Sequence, residues 1–269
     1  MKTDILLHLL DAVLYGLLAA WLWRARRRPT QHAPALWKRY GVGIPWALQG
    51  VLLYRSIFAA DGMFLGVGHA VAVIFWLTLL IYWMGNQVWR LGALQGLIMP
   101  AAAVATLFPV LFPATQPLAH AGMAAFKAHL VVSLLAYSLL TIAAFHVLLI
   151  TLLERGLHGG AAVPADLPPL LTLETLLFRI IAAGFVLLTL TLASGMLFSE
   201  ELFGKPWQLT HKTVFGVASW GIFAALLAGR WIRGWRGRVA LRWTWAGFLC
   251  LVLAYVGSKF VMEVVLGRG

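Results

Sequence analysis

The sequence predicts an all-α membrane protein, a bundle of eight transmembrane helices with both termini on the periplasmic side. Three observations predict it. Of the 269 residues, 62% are hydrophobic and 11% charged, against roughly 25% charged in a soluble domain. The apolar residues gather into eight runs, each close to the ~20 residues that cross ~30 Å of hydrocarbon. Lys and Arg are sorted unevenly between alternate loops.

The runs are 5–23, 42–58, 67–83, 91–108, 125–153, 176–198, 213–231 and 243–266. The first carries Asp11 and is followed by a block of arginines, the reverse of the charge order of a cleavable signal. The second contains Pro45, Gln49 and Arg55 and is the least apolar. Pro100 removes a backbone donor from the fourth and is expected to kink it. The fifth is longer than a bilayer requires, so it tilts or continues outside the membrane. The Gly- and Pro-rich stretch 156–169 reads as a linker too short for a domain of its own. The whole chain, 1–269, is therefore expected to be a single polytopic membrane domain.

Alternating loops divide the basic residues into two sets. One side receives Arg24, Arg26, Arg27, Arg28, Lys38, Arg39, Arg90, Arg155, Arg179, Arg230, Arg233, Arg236, Arg238 and Arg242. The other receives Lys2, Arg55, Lys127, Lys205, Lys212, Lys259 and Arg268. The richer side is cytoplasmic by the positive-inside rule. The net charge of +12 thus reads as orientation and contact with anionic membrane lipid, not as nucleic-acid binding. The single cysteine, Cys250, excludes an intrachain disulfide and a thiolate cluster. No nucleophile elbow, Walker loop, metalloprotease helix or dinucleotide fingerprint is present, so no catalytic role is expected.

On this topology the odd-numbered spans start on the periplasmic side, and each has a histidine at or near that end: His8, His69, His129 and His211. His120 lies in the loop before the fifth span. His32, His146 and His158 fall towards the cytoplasmic side. His129 and His146 are 17 residues apart, ~25 Å along a helix, so they cannot share one ion or one haem. His129 heads the stretch HLVVSLLAY, which places Ser133 and Tyr137 on its own helical face. Ser219 does the same for His211. Imidazole ligates transition metals and haem iron, and a histidine at a span end also serves as a headgroup-level residue bound to water or lipid. Aromatic residues suit the walls of a flat cofactor slot: Trp76 after His69, Phe215 after His211, and Trp207 in the preceding loop. The same tryptophans also serve as packing and interface anchors. Glu200 and Glu201 could orient a histidine, bind a metal or be solvated. Lys259 and Glu263, four residues apart, are expected to pair as a structural tie.

Several long stretches, in order, carry a family resemblance: FKAHLVVSLLAYSLLTIAAFHVLLI at 126–150, PPLLTLETLLFR at 168–179, LTLTLASGMLF at 188–198, LTHKTVFGVASWGIFAALLAGR at 209–230, and 235–266. They resemble the cytochrome c assembly membrane proteins of the CcsA/CcmC/HemX type, in the YpjD-like branch of the bacterial inner membrane. The resemblance implies haem handling, with haem held near the periplasmic face through paired histidines and passed to apocytochrome c. Carried onto this sequence, the iron ligands are His129 and His211; the topology and spacing read above add His69 as a third candidate and Ser133, Tyr137, Trp76, Phe215 and Trp207 as candidates around the cofactor. The haem-delivering relatives have a tryptophan-rich outer loop where this chain has SEELFGKPWQLT, with one Trp. The implied partners are apocytochrome c or other assembly proteins. The alternative is an accessory or transport component for divalent cation or small-solute efflux, partnered with a cation-efflux protein and using the same histidines with Glu200, Glu201 or Asp61.

Overall fold

The computed structural model describes residues 2–27, 40–59, 62–89, 91–118, 120–158, 168–197 and 210–257. Lys259, Glu263, Glu200, Glu201, Asp61, Trp207 and His32 lie outside the described residues. The fold is predominantly helical. In chain order it comprises α1 (Lys2–Arg27), α2 (Gly43–Ile57), a hairpin of β1 (Phe58–Ala59) and β2 (Gly62–Met63), α3 (Val67–Trp89), α4 (Gly92–Ala105), the short α5 (Phe108–Leu111), α6 (Ala124–His158), α7 (Leu170–Leu197), α8 (His211–Arg233) and α9 (Arg238–Val252), which runs on into a π-helical turn, Leu253–Gly257.

Six segments are long and apolar enough to cross a membrane: Asp4–Ala25, Val67–Trp89, Gly92–Leu111, Ala124–His158, Leu170–Leu197 and His211–Arg233. They match the first and the third to seventh predicted spans. The other two predicted spans are not long enough among the described residues. α2 has 15 residues because the chain turns into the β1–β2 hairpin straight after Ile57, where the Phe64 amide donates to the Ile57 carbonyl (2.8 Å). α9 also has 15 residues. α4 runs through Pro100 and ends five residues later. The fifth predicted span is overlong as expected, at 35 residues, ~52 Å of helix.

The chain forms two compact units, Met1–Pro117 and Leu118–Arg268. In the first, α1 packs on α4 and α2, and α3 packs on α2, α4 and α5. Hydrocarbon offers no hydrogen-bond partners, so polar groups of these helices must find one another. Tyr15 donates to Gln49 Oε1 (2.8 Å), and Gln49 Nε2 donates to the Ala72 carbonyl (3.3 Å), tying α1, α2 and α3 together. Trp46 and Trp76 stack with centroids 4.8 Å apart and planes at 8°. Each indole N–H donates to the other's backbone carbonyl, at 3.1 and 2.9 Å. Glycine is required at position 68, because a Cβ there would stand 2.6 Å from the Phe112 carbonyl oxygen and against that of Phe108.

The second unit packs in the cyclic order α6, α7, α8, α9 and back to α6. Small residues set the close approaches. A Cβ on Gly184 would meet Leu140 at 2.8 Å, and one on Gly247 would meet the buried Phe223 ring at 2.8 Å. Ser219 donates to the Gly247 carbonyl (2.8 Å). At the α8–α9 turn, the Arg230 guanidinium lies 4.7 Å from the centre of the Phe178 ring and donates to the Trp235 carbonyl (3.2 Å). Glu174 accepts from the Gly237 amide (2.9 Å), at the N-terminus of α9.

His146 is wholly buried in α6, with Nδ1 bonded to the Ile142 carbonyl (3.2 Å). Its Nε2 meets no hydrogen-bond partner among the described residues. An unsatisfied buried polar group costs about 1–3 kcal/mol. The substitution His146→Leu is therefore expected to leave stability unchanged or raise it by about 1 kcal/mol, read as the shift in thermal unfolding of the detergent-solubilised protein. A loss of that size would instead reveal a partner for Nε2.

Candidate functional site

The second unit brings three of the sequence-predicted residues together on α6. His129, Ser133 and Tyr137 share a face because each is four residues, slightly more than one turn, after the last. Ser133 donates back to the His129 carbonyl (2.6 Å), so its hydroxyl is spent on its own helix. His129 is half-buried, and its Nδ1 is 2.7 Å from the Ser194 hydroxyl on α7. Ser194 Oγ donates to the Thr191 carbonyl (3.1 Å). A hydroxyl has one proton to give. The direction of the His129–Ser194 bond follows the imidazole tautomer, and in the Nδ1–H form Ser194 accepts while donating to Thr191. Nε2 then carries the ring's lone pair. The helix-side partner of a ligating histidine fixes tautomer and ring orientation in this way in metal sites. The next residue, Gly195, lies beside the ring, where a Cβ would make an ordinary contact of 3.5 Å with His129 Cε1.

Two further elements close on the same face. Tyr137 meets Tyr255 of the π-helical turn edge to face, with centroids 5.7 Å apart and planes at 63°. The Lys212 ammonium lies 5.5 Å from the centre of the Tyr255 ring. Lys212 is also within electrostatic range of His129. Lys212 belongs to the first turn of α8, which Thr210 caps by accepting from the Thr213 amide (3.4 Å). His211 is the first residue of that helix and is exposed, and Phe215 follows one turn later, half-buried. α6 and α8 stand opposite each other in the four-helix cycle, so the two histidines come from diagonal helices.

His69 and Trp76 belong to the first unit. His69 is buried in the first turn of α3, and Trp76 is engaged with Trp46 in the reciprocal stack. Sequence reasoning missed Ser194, Gly195, Lys212 and Tyr255. Ser194 and Gly195 fall in ASG of the stretch LTLTLASGMLF, and such a run of small residues within an apolar helix signals a close helix–helix approach. Among the described residues, no group of three or more His, Cys, Asp or Glu side chains is placed to hold a metal ion.

Residues 36–266 match the family model described as cytochrome C assembly protein. The chain belongs to the cytochrome c assembly protein family. It is 32% identical over 203 residues to inner membrane protein YpjD of Escherichia coli K12, covering 75% of each chain. It is 34% identical over 187 residues, 68% of each chain, to a 28.8 kDa protein of Azospirillum brasilense. A shorter match of 89 residues, 38% identical, covers 33% of this chain and 28% of the cytochrome c biogenesis protein CcsA of Prochlorococcus marinus MIT 9515. No solved structure matches. With six helices long and apolar enough to cross a membrane among the described residues, and with these relatives, this member of the cytochrome c assembly family is a multi-pass bacterial inner-membrane protein embedded in lipid. Family membership supports a role in cytochrome c biogenesis.

Proposed function

We propose that the protein holds haem near the periplasmic face of the inner membrane, where His129 would ligate the iron and His211 is the candidate for the second ligand. The observation that carries this reading is the hydrogen bond between His129 Nδ1 and Ser194 Oγ, because it orients the ring from the Nδ1 side and, in the Nδ1–H tautomer, leaves the Nε2 lone pair for a metal. Half-burial suits a cofactor edge that must be reached from one side, and Tyr137, Tyr255 and Phe215 supply aromatic surface to a flat macrocycle. Bound haem would supply a redox-active iron as the cargo of cytochrome assembly. The chain's own task is to orient an imidazole towards it and to shield that contact from water.

The placement follows from eight crossings with both termini periplasmic, in which α2 and α9 with its π-helical continuation complete the count begun by the six longer spans. The unequal basic loops support that orientation. Partners in this reading are apocytochrome c or other assembly proteins of the same membrane. Titration of the full-length protein with hemin tests the assignment through Ser194→Ala. Loss of the hydroxyl that orients the imidazole is expected to weaken uptake about 10–100-fold. Equal affinities in wild type and variant would contradict it.

A further inference from the structure

Lys212 reads from the sequence only as one of the basic residues of the less basic side. The packing of α8 gives it a more particular position. Trp220 donates its indole N–H to Thr189 Oγ1 (2.9 Å) and stacks on Phe185, with centroids 5.6 Å apart. One turn earlier in α8, a Cβ on Gly216 would stand 3.4 Å from Leu192. Moving back along α8 therefore moves forward along α7, as antiparallel helices require. The same step taken once more reaches Lys212 on α8 and Gly195 on α7. Ser194 and Gly195 border the His129 ring, with 2.7 Å between Ser194 Oγ and Nδ1. His129 and Lys212 therefore stand at one level, on the two helices that flank α7 in the cycle.

The ammonium is turned towards the tyrosines of this side of the bundle. Nζ lies 5.5 Å from the centre of the Tyr255 ring. Tyr255 packs on Tyr137, which shares a helical face with His129. An aromatic face attracts a cation through its quadrupole. It engages the ammonium from one side, and an ammonium has three donors, so the contact is compatible with donation to an anion as well. Lys212 is exposed, which suits an anion that keeps its other side in water.

The ligand proposed above has a chemistry to match. Haem is a flat apolar ring with two carboxylates on one edge. A bond from the iron to His129 would fix where the ring is centred and leave its rotation about that bond open. Carboxylates are costly in hydrocarbon, which sends their edge towards the water. A cation at the level of the ligating histidine selects one direction for that edge.

We infer that Lys212 is a positioning residue for haem, pairing its ammonium with one of the two ring-edge carboxylates and so setting the rotation of the ring about the bond to His129. The inference rests on the haem reading and adds a second recognised part of the molecule besides the iron. The pairing is a charge-assisted hydrogen bond, with no covalent bond made or broken.

Titration of the detergent-solubilised full-length protein with hemin and with hemin dimethyl ester, in which both carboxylates are masked, tests this. The quantity read is the ratio of the two affinities, compared between wild type and variants. The two porphyrins partition differently into detergent, but equally so for every variant, so a change in the ratio reports the protein. Lys212→Gln is expected to lower the preference for hemin about 5–10-fold, between the worth of an exposed ion pair and that of a hydrogen bond to a charged group. Lys212→Arg should keep the wild-type ratio. Lys127→Gln should keep it too, because Lys127 is two residues before His129 and so on the opposite side of α6. A ratio unchanged by Lys212→Gln, as expected of a lysine that meets only lipid phosphate, would overturn the inference while the haem reading stands. Uptake of neither porphyrin by the wild type would remove the haem reading and this inference with it.

Discussion

His129→Ala protein from haem-replete cells is expected to lose the Soret band of the wild type, while folding and inserting normally. The loss should be close to complete, because His129 is, among the described residues, the histidine of the second unit whose ring is oriented by a side chain of a neighbouring helix. Truncation removes the nitrogen proposed to ligate the iron and also the hydrogen-bond partner of the Ser194 hydroxyl. The fold should tolerate the change, since the ring is half-buried and α6 is held along α7 for most of its length. His211→Ala is the informative companion. His211 is exposed at the start of α8, so its removal should change the spectral type of the bound haem more than the amount bound. Retention of a full wild-type spectrum by His129→Ala would place the iron elsewhere.

Gly68→Ala is expected to be the most damaging single-methyl change in the first unit. The added Cβ would press on the Phe108 and Phe112 carbonyl oxygens, and backbone oxygens cannot rotate aside as a side chain does. Overpacking of this kind costs about 1–3 kcal/mol, and the backbone clash puts Gly68→Ala at the upper end. It should appear as a lower unfolding temperature and a poorer yield of monodisperse protein. Gly16→Ala is the control. Position 16 faces nothing within 4 Å, and exchanging Gly for Ala in a helix interior gains about 1 kcal/mol of helix propensity. A neutral Gly68→Ala would mean that α3 and α5 do not approach as closely as described.

The six longer spans were legible because a membrane helix is written into one continuous run, and composition alone reports it. α2 was legible in place and nearly in length, since the predicted run 42–58 and the helix Gly43–Ile57 differ by one residue at each end. Its apolar run continues into Phe58, but the chain leaves the helix there for a tight hairpin, and hydropathy does not register that change of direction. The His129, Ser133 and Tyr137 stripe was legible because helical spacing is local. Ser194 was not, because it lies 65 residues away and meets His129 only through the packing of α6 on α7. His8 was read as a headgroup-level residue. It is buried because α1 packs on α4, just past whose C-terminal end Thr106 bonds Asp11, one turn along α1. Trp76 admitted two readings from sequence, cofactor wall or packing anchor. The reciprocal bonds with Trp46 show it in the packing role.

The absorption spectrum of the full-length wild-type protein, purified in mild detergent from haem-replete cells and then titrated with hemin, tests the central claim most directly. The expected result is a Soret band that saturates at one haem per chain and is lost in His129→Ala. A colourless protein that takes up no added hemin would contradict it.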